Sequence, residues 1–233
     1  MYIDVQFDFR SDTPEGKDPD THSSTLRYYH KLLWSKCLPN GARFNLDLDT
    51  PHKLHHNSSL GEFLLSSDAI THTYKNWKSM SNIIDCIPRE DIEIFYSLGF
   101  TIGAFIIFPS KRINKKMTIN MARGTHKKIR DRFDLTLECI RRYYVNKDSP
   151  LKDTIDGYSS FFNLFEDFRG YVDFFLLQDL VDKEYKAIKF WHTFDNFNNQ
   201  PLPNNIHEYN SYKDNVVDFI KSRNIRILKY FET

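Results

Sequence analysis

Ile129, Phe133, Leu137, Ile140 and Tyr144 recur at spacings of four, four, three and four residues, which places them on one face of a helix. Near the start of the chain the period is two instead. Ile3, Val5, Phe7 and Phe9 alternate with Asp4, Gln6 and Asp8, and Phe44, Leu46 and Leu48 alternate with Asn45, Asp47 and Asp49. A chain whose apolar period changes in this way is constrained to an α+β fold, strand-rich over about 1–121 and helix-rich over about 122–233. No internal repeat, low-complexity tract or break in composition divides it. A single domain over 1–233 is expected, with a small, mostly antiparallel sheet from the N-terminal half packed with a helix-rich C-terminal half.

Local signals place the elements. A helix is predicted over Ser24–Trp34, a turn at Pro39-Asn40-Gly41, a loop over Pro51–Ser59 and a strand over Glu62–Ser66. Ser67 or Asp68 then caps a helix through Tyr74, Trp77, Met80 and Ile84, and Arg89–Leu98 is a helix ended by Gly99. Thr101–Phe108 and Met117–Met121 read as an antiparallel hairpin joined by the basic loop Ser110–Lys116. Ser149-Pro150 opens a helix carrying Leu151, Ile155, Tyr158, Phe162 and Phe165. Gly170 interrupts, Tyr171–Val181 is apolar almost all round and reads as a buried helix, and Ala187–Phe190 returns as a strand. Asn205 with Glu208 fits a capping box for a last helix to about Tyr230. Twenty Phe and thirteen Tyr imply a core built on aromatic rings.

Charge is the main functional signal. The net charge is only +1, yet Lys111–Arg130 carries eight Lys or Arg and no acid. A nearly neutral chain that concentrates positive charge in one place offers that place to an anion. Arg123-Gly124 precedes a helix N-terminus, and Arg132 borders the apolar face, where a guanidinium wants a carboxylate or phosphate. The candidate ligand-binding residues are Asn120, Arg123, Lys127, Asp131, Arg132, Asp134 and Glu138, and the expected ligand bears phosphate: a nucleic acid or a nucleotide. The competing structural reading pairs Arg132 with Asp173 or Asp179, pairs Glu138 with Arg142, and leaves Lys111, Arg112, Lys115 and Lys116 solvated. Two other function classes stay open. One is an enzyme with a polar pocket of Asn120, Arg123, Asp131, Arg132, Asp134 and Glu138, its reaction and cofactor unknown. The other is a protein-interaction module of a defence or toxin–antitoxin pair.

His52, His55 and His56, with Asp49 and His72, would converge on a metal only from a helix, and Pro51 argues for a loop; no metal site is expected. GxSxG, the phosphate-binding P-loop and GxGxxG do not occur. Cys37, Cys86 and Cys139 form no CxxC, Met1-Tyr2-Ile3-Asp4 is no secretory leader, and the longest apolar run, Phe100–Pro109, is strand-length. A soluble cytoplasmic protein without a membrane partner is expected.

Gly99-Phe100-Thr101-Ile102-Gly103, Phe108-Pro109, Thr118-Ile119-Asn120, Arg123-Gly124 and Asp131 to Glu138 resemble a group of uncharacterised bacterial proteins, a domain of unknown function. The likeness extends over Phe63 to Asp68 and Asp173 to Asp179. It implies no activity, so no catalytic residue carries over. Phe100 to Ala104 also resembles the His-x-Ile-Gly-Asn strand of some HNH-type nucleases, without the histidine or the asparagine.

Overall fold

The computed structural model describes residues 2–232. The N-terminal segment alternates in sequence but is not a strand. The carboxylates of Asp4 and Asp8 accept from the backbone N–H two residues on, Gln6 and Arg10, each at 2.9 Å, and bend the chain into turns and a short 3₁₀ stretch at Phe9–Asp12. Asp12 then anchors the next elements, accepting from the Ser23 hydroxyl at 2.6 Å and the Thr25 N–H at 2.8 Å. These elements are α1 (Pro19–His22), with Asp18 as its cap, and α2 (Ser24–Trp34), capped by Ser23.

β1 (Lys36–Cys37) and β2 (Arg43–Phe44) form a small hairpin whose turn is the predicted Pro39-Asn40-Gly41, with Gly41 at φ +82°. The second predicted strand stops at Phe44; beyond it only Asp47 bridges, to His55. The expected loop at Pro51–Ser59 contains a strand, β3 (Leu54–Ser58), which pairs antiparallel with β4 (Gly61–Ala69). β4 pairs on its other side with β5 (Phe105–Pro109). The strand begins later than the predicted Thr101 because Ile102–Ala104 is a 3₁₀ turn, and Phe100 to Ala104, the positions that resemble the nuclease strand, lie before β5 and form no strand.

The helix expected from Asp68 does not form. Asp68 stays in β4, Tyr74 sits at φ +58°, and only a 3₁₀ turn at Lys78–Met80 and the α3 it leads into (Ser81–Ile84) are helical before α4 (Arg89–Leu98), which matches its predicted bounds. Nor is there a hairpin after β5. Thr118 caps the Met121 N–H and starts α5 (Ile119–Thr125) where a strand is predicted, so the basic segment is a strand-to-helix loop.

The helical half contains α6 (Phe133–Tyr144), α7 (Lys152–Gly157), α8 (Ser159–Phe162), α9 (Phe168–Phe174) and α10 (Ile206–Glu232). Gly170 lies inside α9, where its N–H donates to the capping Asp167 carboxylate at 2.7 Å. The apolar run to Val181 breaks at Leu176, φ +54°, and Ile188 makes only an isolated bridge to Val181. The predicted capping box is present, with Glu208 N–H on Asn205 Oδ1 at 2.9 Å.

The core is aromatic as expected: Trp34, Phe44, Phe161, Phe162, Phe165, Tyr171, Phe174 and Phe175 are buried together across α2, β2 and α8–α9. α10 crosses the 3₁₀ turn before β5 at such close range that a Cβ on Gly103 would lie 2.3 Å from Asn224 Oδ1. Arg223 of α10 covers the outer edge of β5, donating to the carbonyls of Gly103 and Phe105 at 3.0 and 2.8 Å. The result is an α+β domain, an antiparallel strand region packed against a helix-rich region. Among the described residues no helix is long and apolar enough to cross a membrane.

Candidate active site

β4 is nine residues long and β3 five, so β4 outruns its partner after Leu65. The overhang, Ser66 to Ala69, leaves edge carbonyls that no strand takes up. α5 supplies the donors. Asn120 and Arg123, three residues apart on one helical face, reach across: Asn120 Nδ2 donates to the Ser67 carbonyl at 3.2 Å and Arg123 Nη1 to the Ala69 carbonyl at 3.0 Å.

Arg123 is 1% exposed and spends four of its five N–H groups internally. Besides Ala69 it meets Asp68 Oδ2 at 2.6 Å, the Asp131 carbonyl at 2.8 Å and the Thr136 hydroxyl at 3.4 Å. Arg130 and Asp131 both have positive φ, at 50° and 61°, a conformation unusual for residues with a side chain. It turns the Asp131 carbonyl onto Arg123 and leaves its Oδ1 3.8 Å from Nη1. Burial works against the Arg123 charge, but Asp68 and Asp131 outweigh it and hold the guanidinium above the ordinary arginine range.

α1 packs against this overhang and brings Asp20 to it. Asp20 is partly exposed as a residue, yet its Oδ1 is shut away from solvent with no hydrogen-bond partner. Burial, then the charges of Asp68 and Asp18, push its carboxyl up to about 8, with Ser67 and Arg123 opposing. Asp68 is raised by burial to about 6, Arg123 opposing and Asp131 adding. Two carboxyls raised together in one place bind protons as a pair. A second acceptor, Asn120 Oδ1, is also buried without a partner.

Behind Ser67 lies an ordered chain of hydrogen bonds. Trp34 Nε1–H donates to His30 Nδ1 at 3.0 Å, which leaves the imidazole proton on Nε2 to donate to Ser67 Oγ at 3.0 Å. Ser67 in turn favours the charged form of Asp20. Burial, with Arg223 adding, holds His30 neutral by pushing it down to about 3.

The other expected ligand-binding residues do not join Asn120, Arg123 and Asp131. Arg132, fully buried, forks onto Asp134, with Nε on Oδ1 at 3.1 Å and Nη2 on Oδ2, and donates to the Pro201 and His192 carbonyls at 2.8 and 3.2 Å. Asp134 also accepts the Trp191 N–H at 3.0 Å. The acid that neutralises Arg132 is therefore two residues away, not Asp173 or Asp179. Glu138 is clamped by Arg141 and Arg142 at 2.7 and 2.8 Å, and Lys127 is exposed. Asp134 is buried where segment 191–201 covers this end of α6, and Glu138 is buried beneath its two arginines.

The histidines disperse. His56 stacks between Phe44 and Phe63, His55 meets Glu62 at 3.2 Å, and His52 meets the Thr21 carbonyl at 2.7 Å. His72 lies near Asp131; burial pushes it down, with Asp131 opposing. Among the described residues no group of three or more His, Cys, Asp or Glu could hold a metal ion.

Asp20, Ser67 and His30 have no sequence motif to announce them, because α1, α2 and β4 meet only in the fold. Their arrangement supplies a proton donor and acceptor near neutral pH beside a fixed cation. No curated protein and no solved structure matches the chain. A family model does match, over residues 3–227: the chain belongs to a family of unknown function, DUF6994.

Proposed function

We propose that the protein is an acid–base enzyme whose reacting groups are Asp20 and Asp68. Arg123 is the fixed countercharge, and Asn120 and Ser67 position the substrate and the acid. The observation that carries this reading is the pair of buried acceptors, Asp20 Oδ1 and Asn120 Oδ1, that no protein donor fills. Native proteins rarely leave such atoms unmet, and a substrate with hydroxyl or N–H donors would meet both. An acid near neutral pKa beside them can give or take the proton of that group. The setting we propose is the bacterial cytoplasm, in keeping with three unpaired cysteines.

The test is a panel of chromogenic glycosides, carboxylic esters and phosphate esters, run with wild type, D20N and D68N. Turnover by wild type that falls more than about 100-fold in either variant, with folding intact, supports the assignment. Turnover that survives both substitutions removes it.

A second reading has its own observation. Lys111, Arg112, Lys115 and Lys116 are all exposed on the loop before α5, with Asn114 and Lys115 at positive φ. A nucleic acid or nucleotide would meet these cations without competition from internal acids. Binding that weakens steeply with salt, and that K111E/K115E abolishes, would support it.

A further inference from the structure

Lys36 opens β1 and lines a cleft of about 770 Å³ between the β1–β2 hairpin, α9 with the residues just before it, and the end of α10. Its Nζ is boxed by three rings, 5.1 Å from the centroid of Trp34, 4.7 Å from Phe174 and 4.7 Å from Tyr230. Among the described residues it makes no ion pair within 4 Å; ring faces meet its charge at close range, and Asp173, which also lines the cleft, acts on it from farther off. That is a poor substitute for water.

The neighbouring charges also favour the free amine. Burial, then repulsion by Arg223, pushes Lys36 down to about 7, with Asp173 opposing. Arg223 is itself fully buried and has three backbone carbonyls as acceptors, those of Gly103, Phe105 and Phe175. It lies 5.9 Å from the same Trp34 ring, so the indole contacts both cations. Glu166, Asp167 and Cys37 also line the cleft, as do two arginines with side chains at its surface, Arg43 and Arg169. Arg43 bonds Asn45 at 2.9 Å and Arg169 approaches Asp173 at 3.6 Å.

We propose that Lys36 is a reactive amine that captures a carbonyl compound bearing a carboxylate, a 2-oxo acid, as a reversible imine, with Arg43 and Arg169 receiving the carboxylate. The neutral Nζ adds to the carbonyl carbon, and the C=O electron pair moves to oxygen, which takes up a proton. The carbinolamine then expels that oxygen as water while nitrogen loses its proton. Amine plus carbonyl becomes imine plus water, with no change of oxidation state. The aromatic box keeps the amine desolvated, and the open cleft admits the acid.

The site is separate from the Asp20–Asp68 pair, and its test does not depend on that assignment. Full-length protein is incubated with pyruvate and sodium cyanoborohydride, which reduces any imine to a stable secondary amine, and the adduct is mapped by peptide mass spectrometry. At pH 7 Lys36 should be modified more than about tenfold faster than any other lysine, because far more of it is unprotonated than of a lysine in its ordinary range. Its labelling should rise between about pH 6 and 8 and then level. In R43Q/R169Q, pyruvate labelling should fall while propanal labelling persists. Even labelling of all lysines, or a Lys36 profile that keeps rising to pH 10, overturns the reactive amine; wild-type protein alone decides this. Pyruvate labelling unchanged in R43Q/R169Q overturns the carboxylate pocket.

Discussion

Arg123 Nη1 and Asp68 Oδ2 lie 2.6 Å apart, joining the face of α5 to the end of β4 that β3 leaves uncovered. The contact closes a sheet edge that β3 is too short to cover. It also fixes a positive charge among Asp20, Asp68 and Asp131. R123A should therefore cost about 3 kcal/mol of stability, since it leaves Asp68 and two backbone carbonyls without their donor. R123K keeps the charge without the fork and should recover only part of that cost. Urea denaturation of the three proteins measures it, and a loss below about 0.5 kcal/mol in R123A would place the pair with ordinary surface bridges.

Asp20 gives the fold a pH dependence of definite sign. Its carboxyl holds a proton more tightly folded than unfolded, with the window running from 3.8 to about 8. Over that window the native state binds more protons, so stability is greatest at its acid end and falls as pH rises. D20N removes the titration. It should melt above wild type at pH 8, by a few degrees, and lose that advantage as pH falls toward 4. Melting curves across this range check it; parallel profiles for the two proteins would show that Asp20 ionises as readily folded as unfolded.

His30 acts in the opposite sense. Its imidazole is held down from 6.5 to about 3, so the unfolded chain binds more protons between those values and the fold loses stability as pH drops through them. The Asp20 and His30 slopes oppose one another over about pH 4 to 6.5, and only that of Asp20 remains above. H30A should cost about 2–4 kcal/mol, because it opens a cavity and strips the Trp34 N–H of its acceptor. It should also free Ser67 from its fixed orientation, lowering any activity that depends on Asp20. An acid limb unchanged between wild type and H30A, with H30A no less stable, would remove the histidine from this chain of bonds.

Helix ends were legible where a cap sits within a turn of the helix. Gly99 after α4 and the Asn205–Glu208 box before α10 act at the positions their sequence implies, whereas α7 starts only at Lys152, past the predicted Ser149-Pro150 opening. Short alternations were not decisive. Asp4 and Asp8 turn a period of two into bends by bonding their own backbone, and Thr118-Ile119-Asn120 reads equally well as a strand or as a capped first turn. Of the residues around the proposed site, Asn120, Arg123 and Asp131 were singled out from the clustered charge of the sequence. Asp20 and Asp68 carried no such sign, since their perturbation arises from α1 lying on β4. Asp68 read as a helix cap for the same reason: local rules do not know that an arginine on α5 has claimed it.

Arg132 and Asp134 form the complementary case, a pair that is fully buried and complete in itself. Breaking it from one side leaves an isolated charge in the interior, so R132M should cost about 3–5 kcal/mol. The double variant R132M/D134L removes both charges and should recover a large part of that loss, with a coupling energy above about 2 kcal/mol. Recovery will stop short of wild type, because the Pro201 and His192 carbonyls and the Trp191 N–H lose their partners in either case. Added phosphate distinguishes the alternative. An Arg132 that awaits an external anion predicts that millimolar phosphate raises the wild-type melting temperature, and that R132M abolishes the rise at little cost to stability. The geometry predicts instead a large cost and no phosphate effect at this residue, and thermal shift with and without phosphate separates the two.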